Sequence, residues 1–178
     1  HLGMENYGRT DPATGLHTRL LDFLRAFDFI VDYAIAEKVD LALFCGDAFR
    51  SREPSPTLQC LFAERIRRLG EARIPCLLLL GNHALPPLPG RRSALEIYPI
   101  LQVPGVEIAS AAELRKIETP SGPVQVACLP AGNLGNGSEE GPFDADAKSP
   151  AEVIEEMAAA LEPGAPAILA AHVGVKGA

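Results

Sequence analysis

The sequence lacks the features that would assign it directly to several large classes of protein. No apolar run approaches the length of a membrane span, so we expect no transmembrane helix and no membrane partner. Positive charge is not in excess either: the 178 residues carry a net charge of −7, which argues against a strongly basic nucleic-acid-binding module. A nuclease stays open, because bound divalent cations supply positive charge where a phosphate docks.

Cysteine is scarce, and its spacing argues against a zinc cluster. The four cysteines are Cys45, Cys60, Cys76 and Cys128, and none belongs to a C-x-x-C pair. Cys45 and Cys76 lie inside apolar runs. We therefore expect the four to be small buried hydrophobes in a reducing compartment, the cytoplasm.

The order of predicted elements indicates an α/β sandwich in one domain. Apolar periodicity, N-capping serines and short apolar runs predict helices over residues 18–37, 56–73, 93–101 and 150–161, and strands over 39–45, 77–80, 106–109, 114–118, 124–129 and 166–171. Helices and strands alternate at first, and the clustered strands that follow suggest an antiparallel portion of sheet. Loops are predicted over 85–92 and over 132–146, the second of them mobile.

Three predicted strands end in residues that can bind a metal. Residues 74–83 read IPCLLLLGNH, a buried strand that Gly-Asn-His closes. Residues 39–47 read VDLALFCGD, a second apolar run that Gly-Asp closes. His172 follows the last predicted strand in the same way. Because chemistry in open α/β sheets gathers at the carboxyl ends of strands, we expect these ends to converge.

Convergence of these strand ends would build one metal site. The candidate ligands are His1, Asp47, Asn82 and His172, with His83 beside them. A carboxylate, an amide oxygen and imidazoles suit manganese, iron or zinc better than calcium. Two such ions in one site are a known arrangement for hydrolysing phosphate esters.

Each of these residues also has an ordinary structural explanation. Asp47 follows a glycine, and this pair is also typical of a turn or a helix cap. Asn82 follows a glycine as well, and that pair is common in turns. His172 alone is equally compatible with a hydrogen-bonding role. His17 stands at a predicted helix start, where we expect it to be solvated or to cap the helix.

The motifs resemble those of a known superfamily. Gly46-Asp47-Ala48-Phe49 and Gly81-Asn82-His83 are similar to the metal-binding motifs of calcineurin-like metallophosphoesterases, and His1-Leu2-Gly3 resembles the His half of their opening Asp-x-His motif. The finer resemblance is to the SbcD nuclease family, the bacterial counterpart of the nuclease subunit of the double-strand-break repair complex. It rests on the order and spacing of further short segments: Pro54-Ser55, Gly90-Arg91, Leu95-Glu96-Ile97 and residues 173–178.

This resemblance implies a fold, cofactors and a division of roles. The fold is the metallophosphoesterase sandwich, two mixed β-sheets flanked by helices in four αββα layers. His1 would ligate a first metal, Asp47 would bridge two metals, and Asn82 and His172 would ligate the second. His83 would be the non-ligand catalytic histidine, a general acid to the leaving oxygen. The implied cofactors are two divalent ions, with Mn²⁺ favoured over Mg²⁺, Fe²⁺ or Zn²⁺.

The implied activity is metal-dependent hydrolysis of DNA, as a 3′–5′ exonuclease and single-strand endonuclease in repair and recombination. The implied partners are DNA, an SbcC-like ATPase and a second copy in a homodimer. Two alternatives stay open. One is a small-molecule phosphodiesterase or phosphatase of the same superfamily, and the other is a catalytically impaired scaffold for an SbcC-like ATPase.

The sequence departs from the family pattern in three places, and these bear on how complete and how active the domain is expected to be. The opening Asp would lie before residue 1 and a later Gly-His-x-His motif beyond residue 178. We therefore expect residues 1–178 to be an incomplete phosphoesterase domain that lacks the first strand and the C-terminal metal motif. Ala84 stands where the family usually has Asp after Gly-Asn-His. That Asp would orient the histidine. Because residues 1–178 would also lack ligands for both metals, most severely for the first, we expect catalysis by this segment to be impaired.

Overall fold

The computed structural model describes residues 1–85, 91–132 and 148–174, which form four α-helices and six β-strands. Most of the two predicted loops, 85–92 and 132–146, lies outside the described residues. The elements are, in chain order, α1 (Thr18–Ala36), β1 (Ala42–Cys45), α2 (Pro56–Glu71), β2 (Cys76–Leu79), α3 (Ile97–Ile100), β3 (Val106–Ala109), β4 (Glu113–Thr119), β5 (Gly122–Leu129), α4 (Pro150–Ala159) and β6 (Ala167–Ala171). None of these helices is long and apolar enough to cross a bilayer.

The strands form two three-stranded sheets, which confirms the α/β sandwich. One sheet has the order β1-β2-β3 and is parallel throughout its described strands. The other has the order β4-β5-β6 and is mixed, with β4 antiparallel and β6 parallel to β5. The predicted antiparallel portion is therefore correct for the hairpin β4–β5 and wrong for β3. A crossover that contains α3 leads to β3, and such a connection returns the chain in the parallel direction.

Strand β2 lies at the centre of the molecule and is buried on both faces. Leu78 packs in the hydrophobic cluster that α1 and α2 form with this sheet. Leu77 and Leu79, on the opposite face, pack against Val126 and Cys128 of the second sheet. Successive side chains of a strand point to opposite faces, so the leucine run fills two layers of core at once.

Helix α4 lies over the outer face of the second sheet. Val126 of β5 faces the first sheet, so its neighbour Gln125 points outward. The Gln125 side chain, 2% exposed, donates to the carbonyl of Glu162 at 2.9 Å and accepts from its N–H at 2.7 Å. These two bonds tie the segment after α4 to β5, which completes the helix–sheet–sheet–helix layering.

The predicted helix caps are confirmed, and the way α1 ends explains why β1 begins later than predicted. His17 caps α1, since its Nδ1 accepts from the N–H of Arg19 at 3.3 Å. The apolar run predicts strand over residues 39–41, yet β1 begins at Ala42. The reason lies in the end of α1: Lys38 adopts a left-handed φ of 52°, and the N–H of Val39 donates to the carbonyl of Ala34.

Two of the four cysteines are buried as predicted. Burial raises the pKa of the Cys76 thiol to about 12 and that of Cys128 to about 11, so both stay protonated in the core. The prediction is wrong for Cys45 and Cys60, which are exposed. Cys45 ends β1, an edge strand among the described residues, and an edge leaves one side of the strand uncovered.

Candidate metal centre

Three strand ends meet at one edge of the two sheets. Asp47 follows β1, Asn82 follows β2 and His172 follows β6. The His172 Nε2 atom lies 3.1 Å from Oδ1 of Asn82 and 3.5 Å from Oδ2 of Asp47. The structure thus brings together three residues that are far apart in the sequence.

The Asp47 carboxylate lies at the centre of this group. Its Oδ2 atom is 2.9 Å from Nε2 of His1, and its Oδ1 atom accepts a hydrogen bond of 3.2 Å from the backbone N–H of His83. The Asp47 side chain is only 12% exposed. One carboxylate therefore contacts residues on the His1 side and on the His172 side of the group.

Glycine allows the backbone to approach this closely. A Cβ atom on Gly81 would lie 2.2 Å from Oδ1 of Asp47, and one on Gly46 would lie 2.3 Å from Nδ1 of His172. Gly46 and Asp47 also have φ angles of 96° and 55°, so the chain makes two left-handed steps as it leaves β1. A larger residue at either glycine would displace a side chain of the site.

The backbone fixes which nitrogen of His172 faces the site. Its Nδ1 atom lies 2.9 Å from the carbonyl oxygen of Cys45, which can only accept a hydrogen bond. Nδ1 therefore carries the proton, and in the neutral imidazole the lone pair of Nε2 faces the oxygens of Asn82 and Asp47. The lone pairs of these three atoms repel one another. A bound cation would attract all three and so offset that repulsion.

His1 and His83 lie on the other side of Asp47. Their ring centroids are 5.0 Å apart, and one possible ligand atom from each of His1, Asp47 and His83 lies within 4.8 Å of the other two. The backbone holds His1 in place, because the N–H of Leu2 donates to the carbonyl of Ala48 at 2.9 Å. Nitrogen and oxygen donors of this kind fit a divalent transition metal.

All five candidate residues lie in one group, and Ala84 lies beside it. Ala84 sits in a short 3₁₀ turn, is 8% exposed, and donates its N–H to the carbonyl of Gly81. The carbonyl of Cys45 was not among the predicted site groups, because a backbone oxygen leaves no signal in the sequence. Desolvation raises the pKa of the Cys45 thiol, so this neighbour of the site stays protonated at neutral pH.

Comparison with known proteins gives the family of this chain. The calcineurin-like phosphoesterase family model matches residues 15–176. Similar curated proteins are the "DNA double-strand break repair protein Mre11" of Haloferax volcanii, 37% identical over 84 residues, and its namesakes in Halobacterium salinarum and Sulfurisphaera tokodaii, 35% and 31% identical over 83 and 86 residues. The aligned segments cover 47%, 47% and 48% of this chain.

The same segments cover only 17%, 20% and 20% of those three relatives, so the chain spans a minor part of their length. The resemblance to double-strand-break repair nucleases that the motifs indicated is confirmed. Because the family match extends over most of the chain and agrees with the observed sandwich, the chain belongs to the calcineurin-like phosphoesterase family.

Proposed function

We propose that this chain hydrolyses phosphodiester bonds of DNA with divalent metal ions, as a 3′–5′ exonuclease and single-strand endonuclease. The observation that carries the proposal is one carboxylate, that of Asp47, with His1 on one side and Asn82 and His172 on the other. The similar proteins are named as DNA double-strand break repair proteins, which favours DNA over a small phosphodiester.

Two Mn²⁺ ions are the cofactors we favour. His1 and Asp47 would hold the first ion, and Asp47, Asn82 and His172 the second. When bound, such ions supply Lewis-acid polarisation of the phosphate and a water of lowered pKa. The Cys45 carbonyl contributes by holding the ring of His172 with its lone pair toward the ions.

His83 is the residue that we assign as general acid. Its backbone N–H bonds to Asp47, which anchors the residue at the centre, and its ring lies beside that of His1. From this position the ring donates a proton to the oxygen that leaves when the P–O bond breaks. Ala84 offers this ring no carboxylate, so we propose that the reaction is slower than it would be with Asp at this position.

We propose a second copy of the chain and an SbcC-like ATPase as partners. The second copy is supported by an apolar groove of about 560 Å³ between α2 and α3. Beside it Ile97, Ile100 and Leu101 are 47%, 60% and 65% exposed, and apolar side chains gain stability when a second copy removes them from water. The ATPase is proposed from the motif resemblance alone.

The test compares labelled DNA with a small chromogenic substrate, bis(p-nitrophenyl) phosphate, at increasing Mn²⁺. The protein is produced from its complete open reading frame. We expect Mn²⁺-dependent release of nucleotides from 3′ ends, and a higher kcat/KM for DNA than for the small diester. Turnover of the small diester without cleavage of DNA would favour the small-molecule phosphodiesterase. DNA binding without turnover of either substrate would favour the impaired scaffold.

A further inference from the structure

Among the described residues, two arginines beside the metal centre lack the carboxylate partners that neutralise most other cations of this acidic chain. Most lysines and arginines in the described residues form ion pairs with Asp or Glu. Arg50 and Arg52 are exposed, and within the described residues neither pairs with a carboxylate. The carboxylate of their own loop, Glu53, is already paired with Arg91. Within the part of the chain that the structure describes, the loop therefore carries two positive charges without an ion-pair partner.

The backbone fixes this loop at the rim of the metal centre. The N–H of Arg50 donates to the carbonyl of Leu2 at 2.9 Å, and Leu2 directly follows His1, a proposed metal ligand. Leu2 and Phe49 pair in a parallel β-bridge and are 6% and 5% exposed, so the paired segments are anchored in the core. Arg50 is thus the first exposed residue after the buried pair that follows Asp47. Its side chain starts beside the centre and extends into solvent.

We propose that Arg50 and Arg52 bind backbone phosphates of DNA next to the phosphate held at the metal centre. The inference rests on the proposed function and deepens it, because it states how a polyanionic substrate is held. A guanidinium matches phosphate oxygens with two parallel hydrogen bonds, and such contacts fix the position of a nucleic acid without reading its sequence. A small phosphodiester has no neighbouring phosphate, so these arginines favour a polynucleotide.

The double substitution Arg50→Gln/Arg52→Gln tests the proposal in the whole protein. Binding to a fluorescent phosphorothioate duplex, which resists cleavage, is measured by anisotropy at several salt concentrations. We expect binding to weaken by at least ~10-fold, and the slope of log affinity against log salt to fall by about 2, roughly one per lost phosphate contact. The double variant Arg50→Lys/Arg52→Lys keeps both charges and should retain most of the slope.

Arg73→Gln is the matched control. Arg73 is also exposed and unpaired among the described residues, but it precedes β2 and so lies at the opposite end of the sheet from the centre. Its replacement should leave the salt slope unchanged. An unchanged slope in the Gln double variant, or an equal fall in Arg73→Gln, would overturn the proposal.

Catalysis gives a second readout. The loss of kcat/KM in the Gln double variant should be at least ~10-fold larger on DNA than on bis(p-nitrophenyl) phosphate, since only DNA offers flanking phosphates. Equal losses on both substrates would overturn the inference. If the unmodified protein binds DNA but cleaves none, the proposed function fails and the salt slope still decides the role of the arginines. If it binds no DNA, both fail.

Discussion

The imidazole Nε2 of His172 lies 3.1 Å from the amide oxygen of Asn82, although 90 positions separate the two residues in the chain. Asn82 follows β2 of the parallel sheet, whereas His172 follows β6 of the mixed sheet. The contact therefore joins the ends of strands from two different sheets. The geometry of the centre depends on how the sheets pack against each other, and not on either sheet alone.

Replacing Gly81 with alanine is expected to disrupt the centre. The added Cβ would lie 2.2 Å from Oδ1 and 2.4 Å from the backbone nitrogen of Asp47, and a backbone atom cannot rotate away as a side chain can. We expect weaker Mn²⁺ binding by calorimetry, and a free energy of unfolding about 1–3 kcal/mol lower in urea titrations. Gly174→Ala is the matched control, since apart from its chain neighbours no atom of the described residues lies within 4 Å of its added Cβ. Equal effects of both variants would contradict the steric argument.

His83→Ala should separate metal binding from proton transfer. If His83 is the general acid, Mn²⁺ affinity stays and kcat on DNA falls by about 10²–10⁴-fold. A parallel loss of affinity would make the ring a ligand, which its closeness to His1 and Asp47 permits. His17→Ala is the control: it removes the cap of α1, so it should lower the free energy of unfolding by about 0.5–2 kcal/mol and leave turnover unchanged.

Ala84→Asp should raise the catalytic rate. A carboxylate beside the histidines can accept a ring N–H, and loss of such a partner typically costs about 10–100-fold, or roughly 1.4–2.8 kcal/mol of barrier. The gain should appear in kcat more than in Mn²⁺ affinity, because residue 84 is not a proposed ligand. Ala84→Asn has the same shape without the charge and should gain less. If the rates of the unmodified protein and of Ala84→Asp agree within about twofold, residue 84 does not act on the histidine.

Leu101→Glu should dissociate the proposed homodimer. The substitution places a charge beside the apolar groove between α2 and α3, and burying an unpaired charge in an interface is strongly unfavourable. Light scattering coupled to gel filtration should show a dimer for the unmodified protein and a monomer for the variant. Phe29→Glu is the control, since Phe29 is 70% exposed on α1, away from the groove. A dimer that survives Leu101→Glu would exclude this groove as the interface.

Local signals in the sequence were sufficient for most elements. Ser55 and Ser149, each followed by proline, cap α2 and α4 as predicted. The leucine run gives a strand buried on both faces. The direction of β3 was not predictable in this way, because alternating side chains look the same in a parallel and in an antiparallel strand. Only the connection that leads to the strand decides its direction.

The candidate site shows the same division between local and tertiary information. The motifs indicated the residue types and the strand ends that carry them, and the structure brings the five side chains together. The contact between the carbonyl of Cys45 and His172 depends on the packing of two sheets, so no local pattern could indicate it. The exposure of Cys45 has the same origin, since an apolar run does not reveal whether its strand lies at the edge of a sheet.

The most direct test of the account is Mn²⁺-dependent cleavage of a labelled DNA duplex by the unmodified protein and by Asp47→Asn. Asparagine keeps the shape of the side chain and removes the negative charge of the carboxylate that lies between His1 and His172. We predict that a chelator abolishes cleavage. We also predict that Asp47→Asn lowers the rate by at least ~100-fold, because loss of a proposed ligand should cost no less than loss of a residue that only supports a ligand. Cleavage that persists in the chelator, or an Asp47→Asn rate equal to that of the unmodified protein, would contradict the account.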